Sequence, residues 1–234
     1  MTDTKVAIIT AGGGGMGEAI TRKLHTKGYR VALMSRSGAS ENLAKKCGGL
    51  GLRGSVTEVA DLERLVSMTL EAYGRIDAVV NHTAHPPKGE LLEIPDAGWL
   101  SGFNMLIMNV VRMTRLVTPV MQEQGGGAWV NISTFAAFEP ELALPVSCTL
   151  RAGLSAFSKL YADRYAVDNI RMNNLLPGFI DSLPHSVETV NRVPMARIGT
   201  TREIADTTAF LLSDGAGYIT GQSLIVDGGV TRHI

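Results

Sequence analysis

Between a short apolar run, Val6 to Ile9, and a helical pattern from Met16 to Lys27 stands the segment Thr10-Ala11-Gly12-Gly13-Gly14-Gly15-Met16-Gly17. A backbone without side chains can close on a pyrophosphate, and a helix N-terminus aimed at that charge adds its dipole. Gly15 and Gly17, placed after a strand and before a helix, are spaced for this task. The second apolar run, Arg30 to Met34, ends in Ser35-Arg36-Ser37. An acid at that point would hold two ribose hydroxyls, and none is present. The planar fork of an arginine, flanked by hydroxyls, suits a 2′-phosphate instead. Histidines supply acid–base chemistry near neutrality. His82 and His85 follow the fourth apolar run, and His185 lies in a long loop. Cys148 carries a thiol, but its setting among small helical residues points to packing. Ser155 and Lys159 form a Ser-x-x-x-Lys pair further along the same helix.

These residues need a frame. Seven apolar runs read as strands: Val6–Ile9, Arg30–Met34, Leu50–Arg53, Ile76–Val80, Ala128–Ile132, Ile170–Leu175 and Ser223–Val226. They are apolar throughout, as strands covered on both faces are. Helical patterns separate them: Met16–Lys27, Glu41–Lys46, Thr57–Tyr73, Asp96–Gln124 with a kink expected at Pro119, Val146–Val167 and Thr201–Ser213. Alternation of this kind predicts an α/β fold: one doubly wound, Rossmann-type parallel sheet with helices on both faces. No linker or repeat divides residues 1–234. Residues 179–198 have weak periodicity and are expected to form the loop over the substrate.

Composition bounds the function. The 234 residues carry 22 basic and 22 acidic side chains, which excludes a strong global field for nucleic acid or an anionic membrane. With 45% apolar and 19% charged residues the chain is globular, not disordered. Two cysteines cannot build a disulfide framework or a four-thiolate metal site, and no metal is expected. The polar start lacks a signal-peptide layout, and no apolar run reaches membrane length. A reduced, cytoplasmic protein is the expectation.

Several motifs in order resemble the short-chain dehydrogenase/reductase family over nearly the whole chain. Thr10 to Gly17 matches its Thr-Gly-x-x-x-Gly-x-Gly, with Ala11 in place of the first glycine. Asn81-His82-Thr83-Ala84 stands where the family has Asn-Asn-Ala-Gly. Pro177-Gly178, followed by Ile180 and Ser182, and the segment Gly221 to Gly229 match as well. The resemblance implies a nicotinamide cofactor held by Thr10, Gly12, Gly15, Met16, Gly17, Asn81, Thr83, Pro177, Gly178, Ile180 and Ser182. Ser35 and Arg36 favour NADP(H), with NAD(H) second. Ser55 replaces the family's usual aspartate near the adenine.

The catalytic positions depart from the pattern. The family uses Asn, Ser, Tyr and Lys. Aligned on Arg151-Ala152-Gly153-Leu154, the Tyr position falls on Ser147, the Lys position on Arg151 and the Ser position on Thr134; the Asn position falls near Leu106. Arg151 remains protonated, so it can hold ribose hydroxyls or an oxyanion but cannot donate the proton. The pattern is similar to an atypical subgroup labelled 3-oxoacyl-carrier-protein reductase-like. The expectation is an oxidoreductase on a carbonyl or alcohol, with Thr134, Ser147, Arg151 and His82 as the catalytic candidates. The alternatives are a cofactor-binding homologue without turnover, acting as a sensor or partner subunit, and a non-redox lyase- or dehalogenase-like enzyme. The partner is a small-molecule substrate. The long helices Asp96–Gln124 and Val146–Val167 resemble those of the family's dimer interface, and a homotetramer or homodimer follows by analogy.

Overall fold

The computed structural model describes residues 4–232. Among them, seven strands form one parallel sheet: β1 (Val6–Thr10), β2 (Arg30–Ser35), β3 (Leu50–Arg53), β4 (Ala78–Asn81), β5 (Gly127–Ile132), β6 (Ile170–Pro177) and β7 (Ser223–Val226), in the order β3-β2-β1-β4-β5-β6-β7. From β1 the chain steps outward to β2 and β3, then returns to place β4 on the other side. That reversal opens a crevice beyond the carboxyl ends of β1 and β4, where ligands of open α/β sheets bind.

The helices are α1 (Gly15–Thr26), α2 (Ala39–Lys46), α3 (Val59–Tyr73), α4 (Asp96–Phe103), α5 (Asn109–Glu123), α6 (Pro145–Tyr165), α7 (Val187–Asn191) and α8 (Thr201–Leu212). Neighbouring side chains on each strand point to opposite faces, so one apolar run feeds two cores. Ala7, Ile9, Val31 and Leu33 pack with Ile20 and Leu24 of α1, Leu43 of α2 and Ile204 of α8. Ile8, Ala32, Met34 and Trp129 pack with Leu62 and Leu65 of α3, Met113 and Val117 of α5 and Tyr161 of α6. Thr200 opens α8 with a capping box closed by Glu203.

Three details differ from the sequence reading. The helix expected over Asp96–Gln124 is interrupted by a π-helical turn, Asn104–Met108, and α5 then continues through Pro119 to Glu123. A π turn shifts every later side chain around the helix axis, which a gapless pattern cannot register. The loop after β6 contains the five-residue α7, opened by the Ser186 hydroxyl accepting from the Thr189 N–H. Strand β4 begins two residues later than expected, at Ala78. Among the described residues no helix is long and apolar enough to cross a membrane.

Candidate functional site

The glycine segment spans the gap between β1 and α1, and its glycines divide the work. Gly13 and Gly17 allow close packing. A Cβ on Gly13 would lie 2.5 Å from the Ser40 nitrogen, and one on Gly17 would lie 2.1 Å from the Ala11 oxygen. Gly14, the N-cap of α1, is exposed, and an added Cβ there would meet nothing within 4 Å. No side chain caps α1, so its first-turn N–H groups face the crevice without a side-chain acceptor. This open backbone at a helix N-terminus fits the pyrophosphate of a dinucleotide. Ser182 reaches over it, with its Cβ 3.4 Å from where a Cβ on Gly15 would stand.

Ala11 adopts φ +49°, the left-handed region that disfavours any residue with a Cβ. Ala11→Gly is therefore expected to stabilise the fold by about 0.5–1 kcal/mol, after the extra freedom of the unfolded chain is subtracted. Urea unfolding checks this. An unchanged or lower stability would show that the strain is absorbed elsewhere.

Beside this segment lies a cavity of about 520 Å³, lined by Gly13, Gly14, Ser35, Arg36, Ser55, His82 and Thr83 among others. Its lining runs from the ends of β2 and β3 across to the segment after β4. Ser37, which flanks Arg36, also lines it, as do Thr57, Ser101 and Met105, to which the sequence reading gave no role. Their signal is weak, because only their position beyond strand ends or on α4 and the π turn brings them there.

Several predicted binding residues are engaged by the fold itself. Thr10 is fully buried; its hydroxyl donates to the His82 carbonyl at 2.7 Å and accepts from the His82 N–H at 2.9 Å. It clamps β1 to the chain after β4 and has no hydrogen left for a ligand. Gly12 is buried, and its carbonyl accepts from Thr21. Met16 packs on the core. The Ser35 hydroxyl donates to the Ser37 carbonyl at 2.8 Å and accepts from the Ser40 N–H at 3.2 Å. Gly178 lets β6 pass the end of β7, since a Cβ would lie 2.6 Å from the Asp227 Cα. Pro177 pairs with Val226 in register, and Ile180 is buried in a bridge to Gly199. Arg36, by contrast, is exposed at the cavity wall. The Ser55 hydroxyl shares a hydrogen bond of 2.8 Å with Thr57.

Asn81 belongs to a buried polar ladder that crosses the sheet. Its amide donates to Asn131 at 2.8 Å; Asn131 donates to Asn174 and to the Ser158 hydroxyl; Asn174 donates to Ser223. Asn81, Asn131, Asn174 and Ser223 stand opposite one another in register on β4, β5, β6 and β7. Ser158 ties α6 to the ladder. Buried polar groups are expensive unless paired, so this row fixes the axial position of α6, which carries Ser147 and Arg151.

Ser147 and Arg151 stand one turn apart on the buried face of α6. Gly102 allows α4 to meet the start of that helix, where a Cβ would lie 2.4 Å from the Val146 Cγ1. Arg151 is only 5% exposed; its Nη1 donates to the Ile132 carbonyl at 2.6 Å, and its buried Nε has no partner. Burial lowers its pKa to about 10, opposed by Cys148. It therefore stays a cation, and among the described residues no carboxylate lies within ion-pair distance. Thr134 lies two residues beyond β5 and caps the 3-10 turn Phe135–Ala137, its hydroxyl accepting from the Ala136 N–H. Cys148 is held by the backbone of Glu141, and burial raises its thiol, so it packs instead of reacting.

His82 feels the charge of this cation. Burial, then the Arg151 charge, lowers its pKa to about 4, against a weaker opposing contact with the Ala11 carbonyl; its buried Nδ1 has no partner. The imidazole is neutral at pH 7. Its folded pKa is depressed, so its contribution to stability is complete above pH ~6.5 and is lost as the pH falls toward 4. The loss is about 3 kcal/mol, and His82→Gln is expected to flatten that part of the stability profile, read by urea unfolding at pH 7 and pH 4. An identical slope in the variant would show that other groups carry it. His85 is also lowered, by burial, Lys88 and Arg151. The His185 Nε2 bonds the Ile180 carbonyl at 2.8 Å.

None of the five tyrosines lines the cavity. Tyr161 is buried against Trp129, bonded to Thr118 at 2.6 Å, with its pKa pushed up to about 12, chiefly by burial.

Comparison with known proteins gives consistent matches along the chain. The family model described as enoyl-(acyl carrier protein) reductase matches residues 11–231. The chain is 31% identical over 252 residues to dehydrogenase/reductase SDR family member 4 of Caenorhabditis elegans, covering 98% of this chain and 96% of that protein. It is 30% identical over 248 residues to the 7alpha-hydroxysteroid dehydrogenase of Bacteroides fragilis, covering 99% and 96%. It is 29% identical over 239 residues to the 3-oxoacyl-(acyl-carrier-protein) reductase of Thermotoga maritima, covering 97% of each.

Proposed function

The chain belongs to the short-chain dehydrogenase/reductase family, and from that premise we propose that it is an atypical NADP(H)-dependent oxidoreductase acting on a carbonyl or alcohol. The observation that carries the reading is the open glycine backbone at the α1 N-terminus, joined through one cavity to Arg36 on one side and His82 on the other. When bound there, the nicotinamide group supplies the reducing equivalent. The chain's own task is to hold the substrate oxygen and manage its charge.

Arg151 is the residue for that task. It is a buried cation without a counter-ion, so charge developing on a substrate oxygen nearby is stabilised in a medium that screens weakly. Ser147, one turn earlier, and Thr134, just beyond β5, offer hydroxyl donors. The proton comes from water, because Arg151 keeps its own and His82 is neutral at pH 7. In this reading His82 positions: its backbone is clamped by Thr10, and its ring lies within reach of the Arg151 charge. Thr83, Ser55 and Arg36 line the nucleotide half.

The test is NADPH consumption at 340 nm with a panel of aliphatic, cyclic and aromatic carbonyls. The reading expects turnover that Arg151→Met and Ser147→Ala reduce. NADPH binding with no turnover on any carbonyl would favour the second reading, a nucleotide-binding member without catalysis. The cavity lining contains neither a tyrosine nor Thr134, Ser147 or Arg151, which supports that alternative. Assembly into a homodimer or homotetramer is part of the proposal; Leu100, Phe103 and Leu160 leave α4 and α6 with exposed apolar side chains. The proposed location is the cytoplasm, in keeping with the free thiols of Cys47 and Cys148.

A further inference from the structure

The loop after β6 is fastened at two points, and only one of them belongs to the nucleotide end. Ser182 stands over the glycine backbone. Further along, Arg192 follows α7 and forms an ion pair with Glu141, in the segment that leads into α6. Its guanidinium also lies over the Phe179 ring, 5.0 Å from the centroid. Phe179 in turn meets Phe135 edge-on at 5.4 Å. The arginine therefore caps a stack that begins just beyond β5.

A small core of its own lies in this region. Val193, Cys148, Phe135, Ala136 and Val230 pack together, none more than 9% exposed. Val193 comes from the loop, next to Arg192, and Cys148 from the first turn of α6, next to Ser147. Glu141 holds that same turn from its backbone: its N–H donates to the Cys148 sulfur at 3.4 Å, and the thiol donates to its carbonyl at 3.7 Å. The acid that pairs with the loop thus also touches the helix turn that carries Ser147. Both charged side chains remain partly in water, so the pair is modest in strength and sensitive to salt. A cation over an aromatic face adds a contribution of similar size. A fastening of that strength closes a loop and still lets it open.

We propose that Arg192 and Glu141 are positioning residues that form a latch, that the latch closes the loop on bound substrate at the Ser147 end of α6, and that Cys148 becomes accessible when it parts. The role in holding substrate rests on the proposed oxidoreductase reading; the latch itself does not.

The test is the rate at which Cys148 of the full chain reacts with an aromatic disulfide reagent that releases a coloured thiolate. Cys47→Ala is the background, because Cys47 is the other thiol. Rates are compared per thiolate, since burial and, less strongly, the Glu141 charge raise the thiol pKa. Glu141→Gln loses the ion pair alone and is expected to speed the reaction about threefold. Arg192→Gln loses the ring contact as well and should speed it about tenfold. Moderate salt should speed the background protein and leave Glu141→Gln unmoved. Glu141→Arg combined with Arg192→Glu should react more slowly than either single reversal, because the pair re-forms with its signs exchanged. General loosening of the fold gives no such rescue, and the melting temperature of each variant is read alongside. With NADPH and a carbonyl that turns over, Arg192→Gln should raise KM about tenfold and leave kcat within about threefold, since closure holds the substrate without touching the reacting atoms. Equal thiol rates in all these proteins overturn the latch. Faster thiol reaction with KM unchanged overturns its role in holding substrate. A protein without turnover on any carbonyl overturns the oxidoreductase reading and that role with it, while the thiol rates still decide the latch.

Discussion

Gly17→Ala is expected to leave no soluble, folded protein, or one destabilised by at least ~3 kcal/mol. The added Cβ would lie 2.1 Å from the Ala11 oxygen and 3.0 Å from the Ala11 carbon. Both atoms are backbone, so no side chain can rotate away. The only relief is to lift α1 off the end of β1. That motion opens the core where Ile20 and Leu24 pack against Ile9 and Leu33, each fully buried. Opening such contacts costs several kcal/mol, a large share of the ~5–15 kcal/mol that holds a domain of this size together. Expression in soluble form, followed by thermal unfolding of any recovered protein, checks the outcome. Gly14→Ala is the control: its Cβ would enter open space, so the fold should survive while nucleotide affinity falls. A stable Gly17→Ala protein would mean that α1 does not pack on the β1 turn as described.

Arg151→Met is expected to separate stability from activity. Removing a buried cation with no carboxylate partner relieves a desolvation penalty, as the lowered pKa reflects. It also leaves the Ile132 carbonyl without its donor, at a cost of about 1–3 kcal/mol. These effects oppose each other, so stability should change by no more than ~1–2 kcal/mol. Turnover should fall by at least ~100-fold, the usual consequence of losing one preorganised oxyanion partner. The pKa of His82 should also rise, since Arg151 is the second cause of its depression. Urea unfolding, kcat and an NMR titration of the imidazole read the three effects separately. A large loss of stability with activity retained would identify Arg151 as a strut for β5 and nothing more.

The sheet was legible because its strands are apolar on both faces, and seven such runs stand out from the helices between them. The order of the motifs placed the glycine segment and the ends of β2, β4 and β6 at one edge. Residue types could not say where each hydrogen goes. Thr10 and Ser35 carry hydroxyls suited to a ligand, yet both are consumed by backbone groups that only the folded chain brings near. Asn81 reads as a binding residue, but register places it opposite Asn131, and it joins the ladder instead. The π turn at Asn104–Met108 hid from a reading that assumes one helical period.

Binding of a phosphorylated nicotinamide dinucleotide in this crevice is tested by equilibrium titration of the purified protein with NADPH and, separately, NADH, at low and at moderate salt. NADPH should bind saturably, with NADH at least about tenfold weaker and the gap narrowing as salt rises. Absence of binding by either nucleotide at millimolar concentration would contradict it, and the open glycine backbone would then need another anion.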